Sequence, residues 1–278
     1  CTSCCLPSRE AYTRDNKEVQ ALMEKLEPAE DFYRVEKKTR KTKNDGAWMN
    51  FPSVSLFSST ANADLTKFFK RMGCEASTNA YSITGSTPLV DSLLSVRYAL
   101  YSEYIPNTDL VNYIQESGGT YLYENLYTLP LGFVLPYDLA DNWQYQMENP
   151  AEVQNDLCLL LGTDDVLVPV ETEVSGSGCT FTADMAGEYY VYIQNKKVKN
   201  VKASLPSGEK NFSNVDRGYL LEMGNLSEGS RITLTPGESG ETLTAAVYRF
   251  SPRAMIQVYD RLSQSPLHLD SWRDTKLT

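Results

Sequence analysis

The chain has 278 residues, 41% of them hydrophobic, and a formal net charge of −10, so it can build a sizeable core without metals or disulfides. Its longest apolar runs, residues 157–161 and 166–170, fall far short of the roughly 20 residues that a membrane span requires, and no secretory signal is recognisable. Residues 98–195 contain 15 Asp and Glu residues and no Lys, Arg or His, which argues against a nucleic-acid-binding surface there because affinity for phosphates comes from cations.

The length predicts two domains or one large one, at about 150 residues per domain. The predicted fold class is α+β, with a mixed α/β domain, a jelly-roll-like β-sandwich and a C-terminal helix. We expect a membrane-proximal tether and helix over residues 1–30, the α/β domain over 31–165, the β-sandwich over 166–251, and the C-terminal helix and an extended tail over 252–278. The chain begins with Cys1 rather than Met, which we interpret as a mature form or an excised piece.

The first predicted element is a helix. Asp15 and Glu18 have the spacing of a capping box, and the apolar residues that follow, up to residue 26, repeat at helical spacing. Alternating residues 32–36 then predict a short strand.

A polar loop and a second strand come next. Residues 37–46 are basic and polar and end in an Asn-Asp-Gly turn signal, and residues 54–57 predict the strand. Asn62 is the expected cap of an amphipathic helix that Gly73 ends.

The central segment mixes helices and strands. The predicted helices cover residues 89–96, 109–117 and 150–161, and the predicted strands cover 97–101, 120–123 and 131–135. Gly118 and Gly119 are expected to end the second helix, and Asn149 with Pro150 to begin the third.

The pattern changes near residue 166 to short alternating strands separated by Gly, Ser, Asn and Pro. These strands cover residues 179–183, 188–194, 198–205, 219–223, 231–235 and 242–250. Regular strands with turn signals predict a β-sandwich. Pro252 then opens a last helix that runs to Leu262.

The sequence offers no recognisable catalytic constellation. Its single histidine, His268, lies in the tail, and Ser-His-Asp and Cys-His schemes would both depend on it. No Gly-x-Ser-x-Gly elbow surrounds any serine. We therefore predict no catalytic residue and no hydrolytic triad.

The cysteines predict no zinc site, because a structural site needs four ligands and the pattern provides no second pair. Cys74, Cys158 and Cys179 are expected to be buried free thiols. For Cys1, Cys4 and Cys5, the alternatives are a disulfide, a lipid on Cys1 or a tether without chemistry. No metal and no cofactor is predicted.

Paired carboxylates occur at Asp138 and Asp141 and at Asp164 and Asp165. They could bind Ca²⁺, but no Asp-x-Asp-x-Asp-Gly loop is present. A solvated acidic face is the favoured interpretation.

Two clusters combine tryptophan with amide side chains, as carbohydrate sites do, because sugar rings stack on aromatic faces and polar groups bind the hydroxyls. The candidate residues are Trp143 and Tyr145 in one cluster and Trp48 and Asn50 in the other. The alternative at each position is ordinary packing of an aromatic ring.

Several strings, in this order, resemble the extracytoplasmic region of the YfhO family of bacterial membrane proteins. They are DFYRVE (residues 31–36), Asn50 with SLFSS (55–59), DSLLSVRY (91–98), YENLYTLP (123–130), PAEVQND (150–156), YDRL (259–262) and LHLDSWRDT (267–275).

The resemblance implies a polytopic protein that looks like a membrane-embedded glycosyltransferase using a polyprenyl-phosphate sugar. Such proteins are linked to adding sugars to teichoic acid outside the cell. This chain would be a soluble, non-catalytic portion on the outer face of the membrane, because the catalytic carboxylate lies in an early loop that is absent here. Its expected partners are transmembrane helices of the same polypeptide and an envelope glycan or teichoic acid, not nucleic acid.

An alternative function comes from a different class. A surface lipoprotein anchored through Cys1 could bind carbohydrate or protein without an enzymatic partner. Under the favoured hypothesis an anionic polymer would be repelled by the acidic residues of segment 98–195. We therefore expect that acidic surface to point away from the acceptor path or to be bridged by divalent cations.

Overall fold

The computed structural model describes residues 13–26 and 32–264. Within them, the helices are α1 (Asn16–Met23), α2 (Asp45–Met49), α3 (Ala63–Arg71), α4 (Pro88–Leu93), α5 (Leu139–Asn142), α6 (Pro150–Leu160) and α7 (Pro252–Leu262), with a 3₁₀ turn at Val215–Arg217. None of these helices is long and apolar enough to cross a membrane.

The first half of the chain builds two sheets. Their strands are β1 (Arg34–Lys37), β2 (Leu56–Phe57), β3 (Ala76–Ser77), β4 (Ala80–Tyr81), β5 (Val96–Tyr101), β6 (Val111–Ser117) and β7 (Thr120–Asn125). The larger sheet has the order β1-β5-β7-β6, with β1 parallel to β5 and the other pairs antiparallel. The smaller sheet has the order β2-β4-β3. Helix α1 covers the larger sheet, where its Val19 and Leu22 pack with Val35, Leu100 and Leu122.

The second half is a β-sandwich. Its strands are β8 (Leu167–Val170), β9 (Glu173–Ser175), β10 (Gly178–Thr182), β11 (Gly187–Ile193), β12 (Asn200–Leu205), β13 (Gly208–Ser213), β14 (Leu221–Leu226), β15 (Arg231–Pro236) and β16 (Ala245–Phe250). One sheet has the order β13-β12-β15-β10-β9 and the other β14-β11-β16-β8. With β9 as an added edge strand, the remaining eight follow the strand order of a jelly roll.

Strand β11 is buried on both faces and joins two cores. Tyr189, Val191 and Ile193 point into the sandwich. Tyr190 and Tyr192, on the opposite face, pack in a second core that includes residues of α4, α6 and α7. Because side chains alternate along a strand, this one element connects the sandwich to the helices beside it.

The two helix starts predicted with an asparagine cap are confirmed. The Asn62 side chain accepts hydrogen bonds from the backbone N–H groups of Asp64 and Leu65, and Asn149 accepts one from Ala151. The α+β class, the β-rich second half and the last helix are also confirmed. The domain boundaries stay a prediction.

The helix predicted over residues 109–117 is wrong. Residues Val111–Ser117 form β6, which pairs with β7 through a two-residue hairpin. Gly118 and Gly119 have φ values of +54° and +82°, and positive φ at both positions suits the tight hairpin turns that match strand twist. The glycines therefore turn a hairpin, where the sequence predicted the end of a helix.

Other local predictions also differ from the structure. Residues 131–135, all described, form no strand. Asp15 makes no side-chain cap for α1, because its carboxylate lies near two ammonium groups, 3.7 Å from Lys37 and 3.8 Å from Lys41. Strands β9 and β13 were missed because both are edge strands with mostly exposed polar residues, without apolar alternation.

Candidate functional site

A basic groove with a volume of about 600 Å³ lies between helix α3, the segment before α6 and the end of β11. We call it the basic groove. Its lining residues are Lys67, Lys70, Arg71, Tyr145, Gln146, Glu148, Tyr192, Lys196, Asp216, Arg217 and Gly218.

Helix α3 supplies three of the cations. Lys67, Lys70 and Arg71 lie three and four positions apart, a spacing that places side chains on one helix face. Lys70 and Arg71 occupy the last turn, where the helix dipole favours cations. The Arg71 Nη1 donates to the Met147 carbonyl at 2.8 Å, so α3 also holds the segment that forms the opposite wall.

Lys196 and Tyr192 form the floor. The Lys196 Nζ lies 4.2 Å from the centroid of the Tyr192 ring and donates to its hydroxyl at 2.6 Å. The Tyr192 hydroxyl donates to the Glu148 carbonyl at 3.0 Å. Burial raises the pKa of Tyr192 to about 12 and lowers the pKa of Lys196. The tyrosine is therefore neutral near pH 7, and its ring and hydroxyl hold the ammonium at the groove.

Gly218 allows the chain to pass close to this lysine. Its φ is +83°, and a Cβ there would lie 3.1 Å from the Lys196 Nζ. The neighbouring Arg217 guanidinium is 4.0 Å from a Glu75 carboxylate oxygen. The loop after β13 thus adds a fifth cation to the rim.

The groove carries five cationic side chains and two carboxylates, Glu148 and Asp216, a formal excess of three positive charges. All five cations come from outside the cation-free segment 98–195, and that segment contributes one carboxylate. Lys and Arg bind phosphate groups, and tyrosine rings offer a stacking surface. The arrangement suits an anionic ligand that carries phosphate and sugar-like groups.

Trp143 and Tyr145 are brought together, as the predicted cluster requires. Their ring centroids lie 5.4 Å apart, and both rings pack against the core under α3. The Trp143 Nε1 donates to the Val153 carbonyl at 2.9 Å. Tyr145 also lines the basic groove. Trp143 therefore anchors the wall, and Tyr145 lines the groove; the role of either residue in glycan binding stays a prediction.

Trp48 and Asn50 lie elsewhere, on α2 and at its end. The Trp48 side chain is 50% exposed. Asn50 has φ +60°, and its backbone N–H donates to the Gly46 carbonyl. Neither residue lines the groove. Their role in glycan binding stays a prediction.

A second polar site is a small cavity between β1, α4 and the sandwich. It has a volume of about 40 Å³ and is lined by both carboxylic and cationic groups, including Lys38, Asp91, Glu188 and Glu222. This volume holds a few water molecules and no sugar ring. We call it the junction cavity.

One ion pair crosses the junction cavity. The Lys38 Nζ donates to Asp91 Oδ2 at 3.0 Å. Desolvation lowers the pKa of Lys38, but attraction by Asp91, Tyr101 and Glu222 and the hydrogen bond to Asp91 together outweigh it and raise that pKa. Asp91 Oδ1 and Ser86 Oγ are buried without a hydrogen-bond partner among the described residues, so ordered water is expected beside them.

The described part of the chain holds no group of three or more His, Cys, Asp and Glu residues able to bind a metal ion. The three described cysteines, Cys74, Cys158 and Cys179, are buried free thiols, as predicted. Burial raises the pKa of Cys158 to about 11, which keeps it as an unreactive thiol. Cys1, Cys4, Cys5 and His268 lie outside the described residues.

Sequence reasoning missed the groove cations. The one local signal was the Lys67, Lys70 and Arg71 spacing on a helix that was itself predicted. Lys196 and Arg217 join them through the fold of the sandwich, so no sequence motif connects the five.

Comparison with known proteins gives one match. The family described as "Bacterial membrane protein YfhO" matches residues 2–171, which includes the larger sheet, α3 and α6. The search of curated proteins and the search of solved structures each returned no match. Since the family match covers more than half of the chain, this protein belongs to the YfhO family of bacterial membrane proteins.

Proposed function

We propose that this chain is the extracytoplasmic region of a YfhO-family glycosyltransferase that adds sugars to teichoic-acid-type polymers. In this proposal the region is itself non-catalytic. It holds the acceptor polymer for a catalytic site formed by transmembrane helices of the same polypeptide.

The observation that carries the proposal is the basic groove. A polymer of phosphodiester-linked units presents repeated negative charges and sugar-like carbons. Lys67, Lys70 and Lys196 match the charges, and the rings of Tyr145 and Tyr192 match the carbon surface. With a volume of about 600 Å³, the groove is too large for one phosphate, which suits a polymer.

The charge distribution supports the same function. A protein of net charge −10 repels an anionic polymer, but repulsion between exposed charges is screened beyond about 8 Å at physiological salt. The basic groove provides a local excess of positive charge in which the polymer can lie. Because carboxylates elsewhere on the protein repel the polymer, we expect the polymer to bind in the groove and not on other surfaces.

The test is binding of a purified glycerol-phosphate teichoic acid to the 278-residue chain, measured by titration calorimetry. The variant replaces Lys67 and Lys70 with Gln. Both side chains lie on the helix surface, and we expect affinity to fall about tenfold, since exposed charge contacts contribute up to about 1 kcal/mol each.

A matched control removes two cations from the sandwich, by Lys202→Gln with Arg231→Gln. These residues pair with Glu209 and Glu173 and lie outside the groove. We expect them to leave the affinity unchanged. Equal losses in the two variants would mean that net charge, and not the groove, controls binding, and would refute the proposal.

A further inference from the structure

An apolar loop stands out from the acidic half of the molecule. We call residues 126–137 the apolar loop. It follows β7 and precedes α5, and it contains no charged residue, whereas Glu124 and Asp138 lie just outside it.

Large apolar side chains of this loop point to solvent. The exposed fraction is 51% for Leu131, 62% for Val134, 41% for Leu135 and 98% for Tyr137. Scattered exposed apolar residues are normal, but a contiguous group of them marks an interaction surface.

Buried residues within and just after the loop hold its exposed part in position. Leu129 inside the loop is 1% exposed and Leu139, two residues after it, is 3% exposed, so buried residues flank the exposed stretch between them. The Leu129 N–H donates to the Ser92 carbonyl at 3.3 Å, and Phe133 packs against the core shared by α4, α6 and α7. Residues 131–137, which we call the tip, are therefore presented outward by a fixed base.

We propose that the apolar loop inserts its tip into the outer layer of a lipid bilayer. The chain belongs to a membrane protein family, and the inference rests on the proposed function, in which this region lies beside the bilayer. Insertion of an uncharged segment requires no charged group to leave water, and a tyrosine at the tip is suited to the membrane–water interface.

The charges around the loop indicate which lipids it prefers. Asp138, just after the loop, and Asp141 are repelled by anionic headgroups, whereas Glu124, before the loop, is paired with Arg97 at 2.9 Å. The loop should therefore bind neutral bilayers better than anionic ones, and salt should change its binding little. Polymer binding in the basic groove depends on charge and should weaken as salt is added. Salt dependence therefore distinguishes the two functions.

The experiment is co-sedimentation of the 278-residue chain with phosphatidylcholine vesicles. In the test variant Leu131, Val134 and Tyr137 are replaced by Ser. Because all three side chains are exposed, its urea unfolding midpoint should match that of the parent. We expect its partition into vesicles to fall at least about tenfold.

The control variant is Leu159→Ser with Val174→Ser. These side chains are 71% and 89% exposed, more than most of the loop residues, but they lie on α6 and β9. We expect the control to partition like the parent. Equal partition of test and control variants, or no partition of the parent, would overturn the proposal.

A second measurement does not depend on loss of binding. In a Tyr137→Trp variant, the added emission should shift to shorter wavelength with vesicles and be quenched by lipids spin-labelled near the headgroup. A Val174→Trp variant should show neither change. Loop-dependent self-association without vesicles, measured by sedimentation velocity, would instead identify a second copy as the partner and would contradict lipid insertion.

Discussion

Glu188 and Glu222 place two carboxyl groups at the junction cavity. Burial, and then repulsion by Glu222, raise the pKa of Glu188 from 4.5 to about 7, although a hydrogen bond from the Tyr190 hydroxyl at 3.0 Å opposes the shift. The folded protein therefore keeps a proton on Glu188 at a pH at which the unfolded chain has released it.

This proton has a defined effect on stability. The contribution of Glu188 is fully present below pH 4.5 and is lost as the pH rises toward 7, because the folded state binds more protons in that range. Glu188→Gln keeps an acceptor for Tyr190 and stays neutral. We expect it to raise the free energy of unfolding at pH 8 by about 2 kcal/mol, after allowance for coupling with Glu222, and to change it little at pH 4.5.

Urea unfolding at both pH values measures this difference. The exposed Glu228 provides the control, and Glu228→Gln should leave the pH dependence unchanged. A Glu188→Gln variant whose stability relative to the parent is the same at pH 4.5 and pH 8 would show that folding does not raise the pKa of Glu188.

Glu36 explains why two of the sequence strings occur together. Its side chain is buried, and its carboxylate accepts hydrogen bonds from the Ser53 hydroxyl, the Val54 N–H and both the N–H and the hydroxyl of Ser55. A buried carboxylate without such donors is strongly destabilising. Residues 32–36 and 53–55 thus form one structural unit.

The β6–β7 hairpin depends on backbone conformation at its turn. Gly119 has φ +82°, and a Cβ there would meet no atom within 4 Å. Gly119→Ala should therefore lower the free energy of unfolding by about 1 kcal/mol through backbone strain alone. Gly119→Asn should cost less, because asparagine tolerates the left-handed region.

Thermal unfolding of the two variants checks the hairpin. Gly118→Ala should be worse than Gly119→Ala, since its Cβ would come 2.6 Å from the Glu18 side chain. Equal stability of the Ala and Asn variants at residue 119 would argue against a positive φ there.

Elements were predictable from the sequence where a local signal has one structural meaning. Asn62 and Asn149 are polar caps followed by apolar residues at helical spacing, and both begin helices. Gly118 and Gly119 have two meanings, because paired glycines suit both a helix end and a hairpin. Pairing of β6 with β7 in the sheet decides between a helix end and a hairpin. That pairing is set by the tertiary fold and not by the local sequence.

The candidate site was less predictable than the elements. Tyr145 was singled out from its local composition, and it does line the basic groove. The cations opposite it come from α3 and from loops of the sandwich, which are distant in sequence. Their meeting depends on how the jelly roll packs against α6, and no spacing rule covers that packing.

The distribution of charge over the molecule connects these sites. The cation-free segment 98–195 supplies the apolar loop and one wall of the basic groove, whereas the cations of the groove come from the segments before and after it. In our proposals, the uncharged loop contacts lipid and the cationic groove binds polymer, on a protein of net charge −10.

The most direct test of the acceptor role is sugar transfer by the complete membrane protein, with the polymer concentration varied. Lys67→Gln with Lys70→Gln should raise the KM for teichoic acid about tenfold and leave kcat unchanged, because in the proposed function the groove binds the polymer and takes no part in the chemistry. An unchanged KM, or a loss confined to kcat, would contradict the account.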